Sequence, residues 1–193
     1  MDWGRVAKRI RVPLGFLFAA FFLLRAQPRW WSLVAGSAIA LAGVGIRAVA
    51  SGHVKKNEEL AMTGPYAYTR NPLYLGSMGI AFGVAGAAGG FGPARWWLGA
   101  LLVVLFLAIY VPTILSEEAF LRTAFAEFDE YARRVPRLLP RLTPARFGAS
   151  KVGGGRFSLE RYRHHREYNA SMGAAAIYVA LALRIAFAAH LRF

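Results

Sequence analysis

The sequence predicts an all-α fold, a polytopic transmembrane helical bundle of about five spans with its functional site at the cytoplasmic face. Three observations predict it: 56% of the 193 residues are hydrophobic, only 18% are charged, and the mean hydropathy is +0.37. A soluble domain devotes about 25% of its residues to charge. The composition also excludes a disordered chain, and the lack of cysteine excludes a disulfide-stapled domain, a thiol nucleophile and a thiolate metal site.

The first apolar segment, residues 12–24, is short for a bilayer core, which needs about 20 apolar residues per helix. Arg11 and Arg25 bracket it, and their long stems can carry the charges out to the interface. A secretory signal peptide is the alternative, because basic residues precede the segment. We favour a retained helix, since no small-residue cleavage site follows and the next apolar segment begins almost at once.

Four further apolar segments predict the remaining spans. They run from Trp30 to about Arg47, from Leu73 to Phe91, from Trp96 to Leu115 and from about Ala170 to His190. Pro112 is expected to kink the fourth span. In the third, glycines four residues apart, such as Gly79 and Gly83, permit close approach of another helix, with a ligand against bare backbone as the alternative. Lys151–Gly155 is expected to link a core over residues 1–144 to an appended helix within residues 145–193.

Basic residues concentrate on one side when the spans alternate from a cytoplasmic N-terminus. Nineteen of the 24 lysines and arginines then lie on the cytoplasmic side, as do all ten acidic residues. This asymmetry follows the positive-inside rule. The net charge of +14 therefore indicates topology and attraction to membrane lipid, and no nucleic-acid partner is expected. These features suit a bacterial inner membrane, and the sequence leaves the oligomeric state unknown.

The cytoplasmic loop after the second span ends in the run Met62–Pro72. Its Gly-Pro pair favours a turn, and the two tyrosines that follow are expected in extended geometry. Asn71 suits the N-cap and Pro72 the first position of the third span, and this capping role is sufficient by itself. The alternative is that the helix terminus, together with Arg70, binds an anionic group.

The second cytoplasmic stretch, Ser116–Pro144, begins with two adjacent carboxylates. Ser116 suits a helix N-cap, with Glu117 and Glu118 in the first turn, and this too is a sufficient structural role. Carboxylates at membrane depth are costly unless a cation or hydroxyl meets them, so the pair is equally a candidate site. Apolar residues then recur at helical spacing, which is typical of a helix on the membrane surface over Phe120–Arg134.

Histidines do not predict a metal site, because no pair has a ligand spacing such as His-Glu-x-x-His. Basic and aromatic residues from Arg161 to Tyr168 precede the fifth span. They are expected to anchor the chain to anionic lipid, with contact to a substrate headgroup as the alternative.

Three motifs occur in order along the two cytoplasmic stretches. They read Gly-Pro-Tyr-Ala-Tyr-Thr-Arg-Asn-Pro-Leu-Tyr-Leu-Gly over residues 64–76, Glu-Glu-x-x-Leu over 117–121 and Phe-x-x-Tyr-x-x-Arg-Val-Pro over 128–136. Together they resemble the integral membrane superfamily of isoprenylcysteine carboxyl methyltransferases and phospholipid methyltransferases. The resemblance covers about Arg47–Pro140, roughly half of the chain.

The resemblance implies methyl transfer from S-adenosylmethionine to a lipophilic acceptor at the cytoplasmic membrane face. The cofactor-binding residues that it implies are Gly64, Pro65, Tyr66, Tyr68, Arg70, Asn71, Pro72, Tyr74, Glu117 and Glu118. Asn71 departs from the family's frequent histidine. Arg134 and Glu118 are the implied catalytic residues, with Arg134 facing the reacting end of the acceptor.

The chemistry of these side chains agrees with that implication. The carboxylates of Glu117 and Glu118 suit an ammonium group and a ribose diol, Arg70 suits a carboxylate, and tyrosines suit a sulfonium. A prenylcysteine carboxylate is the favoured acceptor, because it is already ionised and needs only positioning and desolvation. A phospholipid amine or a small thiol is the alternative acceptor. A membrane scaffold that retains the fold without activity is the alternative of a different class.

Overall fold

The structure is a computed structural model that describes residues 23–55, 58–89, 96–147, 157–165 and 167–190, together with positions 13, 17, 20 and 21. Within these ranges all regular secondary structure is helical, which confirms the predicted class. The helices are α1 (Trp30–His53), a 3-10 helix (Gly64–Ala67), α2 (Pro72–Ala87), α3 (Trp96–Ala124), α4 (Phe128–Arg134), α5 (Leu159–His164) and α6 (Tyr168–His190).

In the part of the chain that the structure describes, three helices are long and apolar enough to cross a membrane: Trp30–His53, Gly99–Ala124 and Tyr168–Ala188. Large apolar side chains lie exposed along them, as a lipid-facing surface requires. Helices of this length and hydropathy support an integral membrane protein. The first predicted span lies largely outside the described residues, and the predicted linker Lys151–Gly155 lies wholly outside them.

The third predicted span is shorter than expected. Helix α2 has 16 residues and ends at Ala87, four residues before the predicted end. Gly89 adopts a φ of 77°, a left-handed conformation that commonly follows a helix C-terminus. A helix of this length rises about 24 Å, less than a bilayer core of about 30 Å.

Helix α3 is longer than expected, and the prediction that a new helix begins at Ser116 is wrong. The helix runs without interruption through Pro112 and Ser116 to Ala124. Pro112 lies inside the helix without ending it, and the Glu, Ala and Leu residues that follow Ser116 are strong helix formers. Glu117 and Glu118 therefore lie in the last turns of α3, not in the first turn of a separate helix.

The chain packs as two units. The first comprises Met1–Ala42, Met78–Thr113 and Ser171–Phe193. In it, Gly83 of α2 lies so close to α1 that an added Cβ would approach the Gly36 carbonyl oxygen to 2.6 Å. This contact supports helix packing as the role of Gly83. Arg184 of α6 donates to the carbonyl oxygen of Leu23 at 2.8 Å, which satisfies a backbone acceptor near the end of the first apolar segment.

The second unit comprises Gly43–Ser77 and Ile114–Ala170. Its core contains Leu60, Met62, Phe128, Tyr131 and Val135. The apolar face of α4 is therefore buried by protein, and the prediction of a helix lying on the membrane surface is wrong for this segment. Residues 58–62, which lie far from α4 in the sequence, cover the apolar face of α4.

Candidate functional site

The predicted motifs of the second unit meet where α2 begins and α3 ends. Helix α2 begins at Pro72, as predicted, and the N–H groups of Tyr74 and Leu75 both donate to the Asn71 carbonyl oxygen at 3.1 Å. The Asn71 side chain does not cap the helix. Its amide instead donates to Glu118 Oε1 at 3.3 Å and to the Arg137 carbonyl oxygen at 2.9 Å. The amide at this position thus links the N-terminus of α2 to Glu118.

Glu118 is the most buried charged group of the site, with 6% of its side chain exposed. Its Oε2 accepts from Arg137 Nε at 3.1 Å and Nη2 at 2.9 Å, and Arg70 Nη1 lies 3.4 Å away. The hydrogen bond to Glu118 raises the pKa of Arg137. Burial lowers the pKa of Arg70, and the charge of Glu118 opposes that shift. One buried carboxylate therefore holds two guanidinium groups.

Glu117 has a different environment from its neighbour. Its Oε1 accepts from the Tyr74 hydroxyl at 2.8 Å, and its side chain is only half-buried. No ion pair involving Glu117 is found within the described part of the chain. We call Glu117, Glu118 and the residues that bind them the carboxylate cluster. Its members are Glu117, Glu118, Arg70, Asn71, Tyr74 and Arg137.

The chain after α4 supports the cluster by running antiparallel to the Ala67–Arg70 segment. Arg70 N–H donates to the Pro136 carbonyl at 2.9 Å, Arg141 N–H to the Tyr68 carbonyl at 2.9 Å and Ala145 N–H to the Ala67 carbonyl at 2.9 Å. The buried Thr69 hydroxyl lies 3.0 Å from the Leu138 carbonyl oxygen. This backbone pairing fixes where Arg70 and Arg137 lie.

The Gly-Pro turn precedes the cluster and differs from its prediction. Gly64, at a φ of 58°, begins a 3-10 helix that includes Pro65 and Tyr66, and Tyr68 has helical rather than extended dihedral angles. Proline with its fixed φ at the second position favours such a tight helical turn. Tyr66 is buried, whereas the Tyr68 side chain is 36% exposed.

Two buried tyrosines lie where this turn meets α4. The Tyr131 hydroxyl donates to the Tyr66 carbonyl oxygen at 2.8 Å. Burial raises the pKa of Tyr131 far above its ordinary value, and the phenol therefore remains a hydrogen-bond donor. Burial also raises the pKa of Tyr66, and the nearby negative charges of Glu167 and Glu117 raise it further. Neither phenol is suited to act as a base.

Arg134, the predicted catalytic arginine, lies apart from the carboxylate cluster. Its Nη2 pairs with Glu130 at 2.9 Å, its Nη1 donates to the Arg146 carbonyl oxygen at 3.0 Å, and its guanidinium lies over the Phe147 ring. Arg137, three residues later, joins the cluster instead. Sequence reasoning missed Arg137, because its only signal was membership of an arginine-rich run that contains several equivalent candidates.

A second ion pair in this unit was also missed. Arg47 of α1 donates to Glu167 Oε2 through Nε at 3.1 Å and Nη2 at 2.7 Å, and to the Leu73 carbonyl oxygen at 3.2 Å. Gly76 permits the approach, since an added Cβ would lie 2.6 Å from Arg47 Cγ. The two charges stand 120 residues apart, so no local pattern pairs them.

Four arginines line an open cleft of about 410 Å³ that shares residues with the carboxylate cluster. The cleft is lined by Arg70, Arg122, Asp129, Ala132, Arg133 and Arg137. Among the described residues, no group of three His, Asp or Glu side chains is arranged to hold a metal ion.

Comparisons with known proteins connect this site to a family. Residues 32–127 match the phospholipid methyltransferase family, and this range includes every member of the carboxylate cluster except Arg137. No solved structure matches the chain.

Two curated proteins are similar to part of the chain. The nickel-cobalt-cadmium resistance protein NccN of Alcaligenes xylosoxydans xylosoxydans is 39% identical over 89 residues, which cover 46% of this chain and 39% of that protein. The cobalt-zinc-cadmium resistance protein CzcN of Cupriavidus metallidurans is 38% identical over 93 residues, with the same two coverages, 46% and 39%. The chain thus spans about two fifths of the length of these relatives.

Proposed function

We propose that the chain, whose residues 32–127 match the phospholipid methyltransferase family, transfers a methyl group from S-adenosylmethionine to a lipophilic acceptor at the cytoplasmic membrane face. The observation that carries the proposal is the convergence of Glu117, Glu118 and Arg70 within the family segment. A scaffold needs no buried carboxylate that organises two arginines.

The polar groups of the cluster fit the proposed cofactor. Glu117 has an oxygen beyond the one that Tyr74 occupies, and a half-buried carboxylate of this kind suits an ammonium group or a ribose diol. The Nε of Arg70 is buried and has no hydrogen-bond partner among the described residues, which suits a carboxylate ligand. Oppositely charged groups are thus available for both ends of an amino acid moiety.

The cofactor would supply an electrophilic methyl group, and the residues of this chain would bind the cofactor and orient it. Glu117 and Tyr74 would hold the cationic end, and Arg70 the anionic end. Glu118 would fix the positions of Arg70 and Arg137 through its ion pairs. Because the side chains of the carboxylate cluster are already held in place, they need little reorganisation when the cofactor and the acceptor bind.

Two acceptor classes are compatible with this arrangement. A carboxylate of the prenylcysteine kind needs no base, but Arg134, the residue predicted to orient it, lies apart from the carboxylate cluster. A phospholipid amine is favoured by the family match. It must lose a proton before it attacks, and Glu117 cannot receive that proton while it holds the cationic end of the cofactor.

Calorimetric titration with S-adenosylhomocysteine tests the cofactor site. The purified chain in detergent is expected to bind with micromolar affinity, and Glu117→Gln is expected to weaken binding about tenfold or more, since a charged hydrogen bond is lost. Glu58→Gln is the matched control, because Glu58 is an exposed carboxylate in the loop before the site.

Two results would count against the proposal. Absence of binding by well-folded wild type would favour the scaffold alternative. Equal binding by wild type and Glu117→Gln would remove Glu117 from the cofactor site. Transfer of labelled methyl to prenylcysteine or to phosphatidylethanolamine then distinguishes the two acceptors.

A further inference from the structure

The chain just before α6, residues 157–165 and Glu167, contacts the start of α2; we call it the pre-α6 segment. Its Glu167 pairs with Arg47 of α1, and the two side chains are only 13% and 21% exposed. Arg47 also donates to the Leu73 carbonyl oxygen at 3.2 Å and to the Ser77 hydroxyl. A single guanidinium thus connects Glu167 to the first two turns of α2.

The first turn of α2 also belongs to the carboxylate cluster. Leu73 precedes Tyr74, whose hydroxyl binds Glu117 at 2.8 Å. A shift of this turn therefore moves the Tyr74 hydroxyl relative to Glu117. Burial raises the pKa of Tyr66, and the charges of Glu167 and Glu117 raise it further, so both carboxylates lie within electrostatic range of one phenol.

The pre-α6 segment makes a second, separate contact with the C-terminal end of α1. Ser158 N–H donates to the Gly52 carbonyl oxygen at 3.0 Å, and Arg161 Nη1 donates to the His53 carbonyl oxygen at 3.2 Å. These bonds satisfy two of the carbonyl groups that a helix end leaves without a partner inside the helix. The His53 ring in turn lies against the Gly-Pro turn, since a Cβ added at Gly64 would be 2.5 Å from His53 Nε2.

We propose that Glu167 is a positioning residue for the carboxylate cluster and acts through Arg47 on the first turn of α2. The inference rests on the proposed function, because the effect concerns the binding of the same cofactor. Without the Glu167 carboxylate, the largely buried Arg47 loses its counter-charge, and its hold on α2 weakens. Glu167 lies outside the range that matches the family, residues 32–127, so the part of the chain predicted as an appendage contributes to the site.

Calorimetric titration of the full chain in detergent with two nucleosides tests the inference. S-adenosylhomocysteine carries the amino acid moiety that Glu117 is proposed to hold, and 5′-methylthioadenosine lacks it. Glu167→Gln is expected to weaken S-adenosylhomocysteine binding about tenfold and to leave 5′-methylthioadenosine binding within about twofold of wild type. A general loss of folding would affect both ligands alike. Glu160→Gln is the matched control, because Glu160 is an exposed carboxylate of α5 in the same segment.

A double variant shows whether Glu167 acts through Arg47. Arg47→Gln/Glu167→Gln is expected to show the same selective loss as Arg47→Gln alone, because the second substitution removes a side chain that no longer has its partner. Additive losses would instead mean that Glu167 acts independently of Arg47, which overturns the inference. The double variant leaves neither charge unpaired, so it decides the matter if a single variant does not fold.

The remaining outcomes separate this inference from the proposed function. Wild type that does not bind S-adenosylhomocysteine overturns the proposed function and this inference with it. If wild type binds, an equal effect on the two nucleosides in Glu167→Gln overturns this inference alone, as does unchanged S-adenosylhomocysteine affinity in Glu167→Gln or in the double variant. Selective loss of S-adenosylhomocysteine in these variants, with none in Glu160→Gln, supports the positioning role.

Discussion

Glu118 and Glu117 are adjacent in sequence but differ in burial and in partners. Its carboxylate is buried and satisfied by Arg70, Asn71 and Arg137, whereas Glu117 meets one hydroxyl and keeps partial exposure. Removing one partner of a buried ion pair costs more than the pair contributes, because the remaining charge stays buried. Glu118 is therefore a positioning residue for the arginines as well as a candidate cofactor ligand.

Glu118→Gln is expected to lower the free energy of unfolding by about 2 kcal/mol or more and to abolish cofactor binding in a protein that still folds. The stability loss follows from leaving Arg70, which is 12% exposed, without its counter-charge. Denaturant titration in detergent and calorimetry with S-adenosylhomocysteine measure the two effects.

Glu130→Gln is the control for that substitution, because it removes a partly exposed ion pair between residues four apart on α4. Its expected cost is below about 0.5 kcal/mol. Retained cofactor binding and a normal unfolding midpoint in Glu118→Gln would contradict both roles of Glu118.

The sequence predicted five of the six members of the carboxylate cluster as site residues but did not predict Arg137. Charge at membrane depth identified Glu117 and Glu118, and the motif identified Arg70, Asn71 and Tyr74. Arg137 depends on the antiparallel pairing of two loops distant in sequence, which hydrophobic periodicity does not encode. For the same reason Arg134, the arginine of the motif over residues 128–136, pairs with Glu130 outside the cluster.

Among the helices, the predictions were most accurate where the apolar pattern is long. Helix α6 begins at Tyr168, two residues before its predicted start, and ends at the predicted His190. The errors concern local signals that the tertiary context overrides. Ser116 is a good N-cap residue inside an uninterrupted helix, and the apolar face of α4 is covered by a loop that precedes it by more than sixty residues.

Gly83→Ala is expected to destabilise the first unit by about 2 kcal/mol, because the added methyl group overlaps the α1 backbone near Gly36 and Ala40. Gly45→Ala is the matched control: Gly45 is also within a helix, and an added Cβ meets nothing within 4 Å there. It is expected to be neutral or stabilising, since alanine favours a helix by about 1 kcal/mol over glycine. Thermal unfolding of the purified variants compares them, and equal midpoints would show that α1 and α2 are not held in contact by Gly83.

At the scale of the whole molecule, charge and not packing predicts the orientation of the chain in the membrane. Apolar helices cross the bilayer equally well in either direction, whereas the retention of lysine and arginine on the cytoplasmic side selects one. The predicted arrangement places the carboxylate cluster and the arginine cleft on the cytoplasmic side, where the proposed methyl donor is available.

The absence of cysteine from all 193 residues permits a direct test of this orientation. Arg146→Cys and Arg29→Cys each introduce a single thiol at an exposed position, the first in the loop after α4 and the second just before α1. In intact cells, a membrane-impermeant maleimide is expected to label Arg29→Cys and not Arg146→Cys, and inverted vesicles are expected to reverse the pattern. The unsubstituted chain is the control, since it has no thiol to label. Labelling of Arg146→Cys in intact cells would place the site on the opposite face, away from a cytoplasmic methyl donor, and the proposed reaction would then fail for lack of substrate rather than for lack of a binding site.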